Sequence, residues 1–188
     1  MTAQSNLKSA AALGTVRFER LPTNTTTRRH PVHRWFNFIA GFSPELVEAC
    51  VAISGEPLSR KLRLLDPFAG CGTAPVAARM LGISAIAYDP HPFFAIISEA
   101  KANSPRYWRD VPVIHAAIAR GILQRLPSKT APSEPAVAFL EKMFESDVLI
   151  ALHSARRVLE DEGLDKNPLA VLILLESQRG GVQDEFSR

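Results

Sequence analysis

Residues 64–82, LLDPFAGCGTAPVAARMLG, constrain the fold of this chain more than any other stretch. An apolar pair ends in Asp66, a short turn carrying Gly70 and Gly72 follows, and an alanine-rich segment then runs to Gly82. Glycine reaches backbone angles closed to other residues and lets a ligand approach the main chain closely. A strand that ends in such a turn and hands over to a helix predicts an open α/β sheet. Ligands of such sheets sit beyond the carboxyl ends of the strands, against the unpaired N–H groups of a helix start. Ala69 and Thr73 keep the rim small, and Asp66 can accept a hydrogen bond from an ammonium or hydroxyl group.

The stretch ISAIAYDP predicts a second strand that ends at Asp89, 23 residues after Asp66. An acidic side chain about 20 residues beyond a glycine turn is the arrangement that holds the two hydroxyls of a ribose, so turn and acid together point to an adenosine-containing ligand. The turn reads G-C-G-T; it is neither G-x-G-x-x-G nor G-x-x-x-x-G-K-[ST], and the dinucleotide and P-loop readings fit poorly. Plainer readings stand beside this one. The turn could be only a tight strand-to-helix connection, and Asp89 taken alone could be a helix N-cap.

The order of elements is that of a parallel α/β sheet: strand KLRLLDP, helix over about 72–82, strand ISAIAYDP, helix PFFAIISEAKAN. Leu64 and Leu65 read as a strand buried on both faces. A helix over 43–54 precedes them, with Ser43 as N-cap, Pro44 at its first position and Leu46, Val47, Cys50 and Val51 on one face. Beyond residue 110 helix follows helix, over about 111–126, 134–145, 147–161 and 168–178, the last capped by Asn167. No third strand is convincing, although LAVLILL has the propensity for one. The chain thus divides into an N-terminal arm (1–26), an α/β ligand-binding part (27–109) and a helical segment (110–188).

DPFAGCGT, residues 66–73, resembles the D-P-F-x-G-x-G-T motif of S-adenosylmethionine-dependent methyltransferases that act on exocyclic amino groups of DNA bases, the N6-adenine and N4-cytosine type. AYDPHPF, residues 87–93, is similar to their second motif, and HPVHRWFNFIAGFSPELV, residues 30–47, looks like the segment that precedes the glycine motif and helps close the cofactor pocket. The resemblance spans about residues 30–104. It implies a Rossmann-like fold and S-adenosylmethionine as cofactor. Asp66, Pro67, Phe68, Ala69, Gly70, Cys71, Gly72 and Thr73 would wrap its methionine part. Asp89 would hold the ribose, with Pro90 and His91 beside the adenine. DNA is the implied partner, and RNA methyltransferases carry similar turns.

Members of that family use a further motif, [DNS]-P-P-[YFW], for the target amine, and no Pro-Pro pair occurs in this chain. With only two strands legible, the expectation is an incomplete fold: an N-terminal fragment, or one part of a split enzyme whose catalytic motif sits on a second chain. No catalytic residue is therefore assigned. The alternative, from a different class, is an inactive module that binds nucleic acid or protein without turnover.

Composition adds limits. A net charge of +3 permits a polyanionic partner without demanding one. Cys50 and Cys71 form no C-x-x-C pair, which suits a reducing cytoplasm, and Cys71 reads as a small filler of the turn rather than a nucleophile. No apolar run reaches the roughly 20 residues that span a bilayer. His30 and His33 lack the cysteine or carboxylate neighbours of a metal site. Around Arg28, Arg29, Arg34, Trp35 and Phe36 two readings stay open. The aromatics pack beneath the cofactor pocket, or they stack on nucleic-acid bases while the arginines meet phosphates.

Overall fold

The computed structural model of the chain describes residues 27–36, 38, 41–59, 61–126, 139–142 and 144–183, with side chains in the last helix as far as residue 175. The expected arm (1–26) and most of the expected helix over 134–145 lie outside the described residues; 139–142 are helical. The chain divides into two compact units, one ending at Asn103 and the other beginning at Ser104.

In the first unit, helix α1 (Pro44–Ile53) starts as its sequence predicts. Ser43 is the extended N-cap residue, Pro44 fixes the first helical φ, and Glu45 lies in the first turn, where a negative charge suits the helix dipole. It buries Val47, Val51 and Ala52 and leaves Cys50 exposed, so the buried stripe is rotated from the expected one. Strands β1 (Arg63–Asp66) and β2 (Ser84–Ala87) pair in parallel, with Leu64 opposite Ala85 and Leu65 opposite Ile86. Parallel neighbours need a crossover, and helix α2 (Thr73–Met80) supplies it. Helix α3 (Pro92–Ala102) follows β2.

The core of this unit lies on one side of the sheet. Val47, Ala74 and Ala77 pack with Phe42 and Leu64; Val51, Ala78 and Ile83 pack with Leu62, Leu81 and Ala85. Each fully buried Val or Ile here contributes about 1.5–3 kcal/mol of burial free energy. The alternation of a strand then turns Leu65 and Ile86 to the other face, where they remain 65% and 45% exposed. Leu65 is thus not buried as expected, because the described residues of this unit place helices against only one face.

The second unit is helical. A short helix α4 (Ser104–Tyr107) runs into a 3-10 turn (Trp108–Asp110), then come α5 (Val111–Gln124), α6 (Ser146–Asp161) and α7 (Pro168–Gln183). Asn167 caps α7 by accepting from the Leu169 amide at 3.0 Å, and its Nδ2 donates to Asp110 Oδ2 at 2.8 Å. That cap and Pro168 commit LAVLILL to a helix despite its strand propensity, and the helix continues to Gln183, past the expected end at 178. Helices α5 and α6 approach through Gly121, where a Cβ would run into the Ala155 backbone. Ser154 sits at the same crossing. Its hydroxyl donates to the Gly121 carbonyl and accepts from the Leu126 amide, which ends α5.

Gly121→Ala should therefore destabilise the protein by about 1–3 kcal/mol through overpacking, read as a lower urea midpoint. An unchanged midpoint would mean that α5 and α6 do not pack this closely.

Candidate functional site

The glycine turn joins the carboxyl end of β1 to the start of α2. Asp66 is buried, and its Oδ1 accepts from the Phe68 amide at 3.0 Å, which bends the chain immediately after the strand. The Ala69 amide donates to the Tyr88 carbonyl at 2.8 Å, tying the turn to the end of β2, and the Gly72 amide closes it on the Ala69 carbonyl at 2.8 Å. Gly70 and Gly72 both have positive φ, 50° and 84°. Gly72 is also a packing requirement, since a Cβ there would lie 2.8 Å from the Ser98 Cα of α3. Gly72 is the N-cap residue of α2 and offers no side-chain acceptor; the Val76 amide closes on the Gly72 carbonyl at 3.2 Å, and Pro75 carries no N–H.

Asp89 meets this turn directly. Its Oδ2 accepts from the Gly70 amide at 2.8 Å and its Oδ1 from the His91 amide at 2.9 Å. Each carboxylate oxygen has a second lone-pair direction, so Asp89 can hold the turn and still accept two hydroxyl hydrogens. It is not the N-cap of α3. His91 is, its Nδ1 accepting from the Phe93 amide at 3.2 Å. A cavity of about 560 Å3 is lined by Ala69, Tyr88 and Asp89 and extends between α2 and α3 to Ser98, Glu99 and Asn103. That volume lies in the range of small-molecule sites.

One polar atom of the turn has no partner: Asp66 Oδ2 is buried and unsatisfied among the described residues. A buried carboxylate oxygen left bare costs on the order of 1–3 kcal/mol, more when charged, so its position calls for a donor. The chemistry that fits is a cationic or hydroxyl donor arriving at the turn. Among the described residues no cluster of three or more His, Cys, Asp or Glu side chains forms a metal cage.

The segment before α1 packs against the other side of the turn. Phe36 meets Phe93 and Phe94 edge-on, and Phe38 meets Phe94 at a ring distance of 4.8 Å. The Phe38 ring also lies 3.7 Å from where a Cβ of Gly70 would be. Of the two readings of this basic aromatic stretch, packing is the one that Phe36 and Phe38 adopt. Arg29 and Arg34 are exposed, while His30 Nε2 reaches Glu45 Oε1 at 3.2 Å.

Beneath the strap lies a buried polar group that the sequence did not single out. Lys101 of α3 is buried, with Nζ 3.5 Å from the Phe36 carbonyl, and His33 is buried with neither ring nitrogen partnered among the described residues. Burial, reinforced by the Lys101 charge, pushes His33 down to about 4. Burial also lowers Lys101, while the Cys71 thiol beside it acts in the opposite direction. Cys71 is buried and its Sγ is 3.9 Å from Thr73 Oγ1, as suits a filler of the turn. Lys101 follows Ile97 by four residues and so falls on the buried face of α3, where the segment before α1 folds over it.

Of the residues expected at the site, Asp89 accepts from the Gly70 and His91 amides and Ala69 donates to Tyr88, while Ala69 and Asp89 are the two that line the cavity. Over 83 residues, 44% of its length, the chain is 36% identical to the type II methyltransferase M.BsoBI of Geobacillus stearothermophilus. The matched stretch is 16% of that protein, so the chain spans a small part of the relative's length. Over this stretch the chain is related to a methyltransferase. No protein-family model matches the chain, and no solved structure does.

The buried His33 sets a pH dependence. Unfolded, it takes up a proton near pH 6.5; folded, it refuses one until about 4. As pH falls through that window the unfolded state gains a proton that the folded state lacks, and stability drops by roughly 2–3 kcal/mol. Above about pH 6.5 the group contributes no slope. Thermal melts at about pH 7 and about pH 5 should show this drop in the parent and a smaller one in His33→Leu. Equal drops in both proteins would show that His33 titrates normally.

Proposed function

We propose that residues 27–109 bind S-adenosylmethionine and that the chain is part of a methyltransferase acting on the exocyclic amino group of adenine or cytosine in DNA. The observation that carries this reading is the bare, buried Asp66 Oδ2 beside a turn that Asp89 brackets. The residues fit the cofactor. Asp66 would accept from the ammonium of its amino-acid part, and the turn from Pro67 through Ala69, Gly70, Cys71 and Gly72 to Thr73 would wrap that part, with exposed Phe68 at the rim. Asp89 would accept from the ribose hydroxyls, and Pro90 and His91 would flank the adenine. When bound, the cofactor supplies a methyl group on a sulfonium, an electrophile that needs no metal. The chain's own contribution is to hold that group in one orientation and to exclude water from it.

The amine to be methylated has its lone pair conjugated into the base. Transfer then needs acceptors that localise the lone pair and align it with the methyl carbon, and the sequence carries no [DNS]-P-P-[YFW] motif for this. We therefore assign the chain a cofactor-holding role within a larger catalytic assembly, completed by further polypeptide or by a second chain. The bare sheet face at Leu65 and Ile86 supports this, because parallel sheets are normally covered on both sides. The missing motif equally favours the second reading, an inactive module that binds nucleic acid or protein, and RNA in place of DNA changes only the substrate. The two free thiols suit a cytoplasmic location, and among the described residues no helix is long and apolar enough to cross a membrane.

Titration calorimetry with S-adenosylmethionine tests the reading. Binding is expected, with Asp66→Asn weakening it about 10- to 100-fold through loss of a charge-assisted hydrogen bond. Asp89→Ala should weaken it at least as much, since it removes both the hydroxyl acceptor and the clamp on Gly70. A folded parent protein that gives no heat ends the proposal in favour of the inactive module.

A further inference from the structure

The basic aromatic stretch near the N-terminus spends its phenylalanines on packing, but a second such stretch does not. Residues 106–109, Arg-Tyr-Trp-Arg, form the end of α4 and the 3-10 turn after it. Trp108 is 61% exposed, the largest side chain type left so open among the described residues of the second unit. Arg106 and Arg109 are exposed as well, and three residues apart on tight helical turns they share one side. The Arg106 guanidinium stands 5.7 Å from the Tyr107 ring centroid, which fixes its direction. The neighbouring carboxylate of Asp110 accepts from Asn167 Nδ2 at 2.8 Å. A lone exposed apolar residue is ordinary on a protein surface, and what sets Trp108 apart is the pair of exposed arginines flanking its large amphipathic ring.

We infer that Trp108, with Arg106 and Arg109, is a nucleic-acid contact: the indole stacks on an unpaired base and the two guanidinium groups meet the adjoining phosphates. An exposed aromatic flanked by cations is the combination that single strands select, because every base has a π-face and every linkage a charge. Protein interfaces also favour Trp and Arg; a single strand is the occupant that offers a base face to the indole and regularly spaced charges to both arginines at once. This inference deepens the reading of the substrate as nucleic acid, and it stands or falls apart from cofactor binding.

The test is a fluorescence titration of the full chain in a Trp35→Phe background, so that Trp108 is the reporter. The probes are mixed-sequence single-stranded DNA and RNA oligonucleotides, with calorimetry of S-adenosylmethionine on the same proteins. The oligonucleotide should quench Trp108, and Trp108→Ala, read by anisotropy of a labelled oligonucleotide, should weaken binding about tenfold. Arg106→Gln with Arg109→Gln should lower the salt slope of log K by about 1.4, two phosphate contacts at about 0.7 each. The Trp108 and arginine variants should bind S-adenosylmethionine as the Trp35→Phe protein does. Oligonucleotide binding that is indifferent to Trp108 and to both arginines overturns the inference while leaving the cofactor reading intact. Absence of quenching with either probe also overturns it, leaving the patch to a protein partner. Quenching without any cofactor heat keeps this contact and removes the methyltransferase reading.

Discussion

The carboxylate of Asp89 holds the functional end of the first unit together. It takes one backbone amide from the turn after β1 and one from the turn after β2, so a single side chain, together with the Ala69–Tyr88 backbone bond, fixes two loops. Charge-assisted bonds of this kind are about twice as strong as neutral ones, and both lie at the end where α2 and α3 begin. Helix starts carry partial positive charge, so two of them meet at the same carboxylate. The acid thereby does two jobs that reinforce one another. It neutralises a local excess of N–H dipoles, and it leaves lone pairs facing the space where a polyhydroxyl ligand would add further donors.

The same end of the unit explains why glycine is needed twice for different reasons. Gly70 takes a left-handed conformation that presents its amide to Asp89, with the Phe38 ring at ordinary contact distance. Gly72 adds a second constraint, because α3 approaches so closely at Ser98 that no side chain fits. One glycine shapes the turn and the other lets the next helix reach it. The turn is consequently held from three directions: by β2 through Tyr88 and Asp89, by α3 through Ser98, and by the strap through Phe38.

Much of this was legible in the sequence because it depends on local chemistry. Gly70, Gly72, Pro44, Pro92 and Pro168 act through backbone angles that neighbours do not alter, and the spacing of Asp66 and Asp89 follows from one strand-helix-strand crossover. What was not legible depends on which faces meet. Leu65 reads as core but lies on the sheet face that the described helices leave open, whereas LAVLILL, despite its strand propensity, falls in the helix that Asn167 and Pro168 predict. His91, not Asp89, caps α3, because Asp89 is already committed to Gly70. The apolar spacing of α3 puts position 101 on its buried face, but why a lysine stands there and why His33 is buried emerges only when a segment some 65 residues away in sequence folds over α3.

The strap also links the polar group beneath it to the turn above. Phe36 and Phe38 lie on Phe93 and Phe94 and reach Gly70, while the Phe36 carbonyl receives Lys101 and His33 sits unpartnered below. An all-apolar underside would be easier to bury, because polar groups without full hydrogen bonding oppose folding. The strap is therefore held by aromatic contacts with Phe93 and Phe94 and, among the described residues, opposed by the two unpaired ring nitrogens of His33. A ligand seated on the turn would bury the Phe38 ring further and add to the aromatic side of that balance. On the proposed reading, with S-adenosylmethionine on the turn, order in the strap and occupancy of the turn would be coupled, and the weaker the strap alone, the larger the part of binding free energy that would go into closing it.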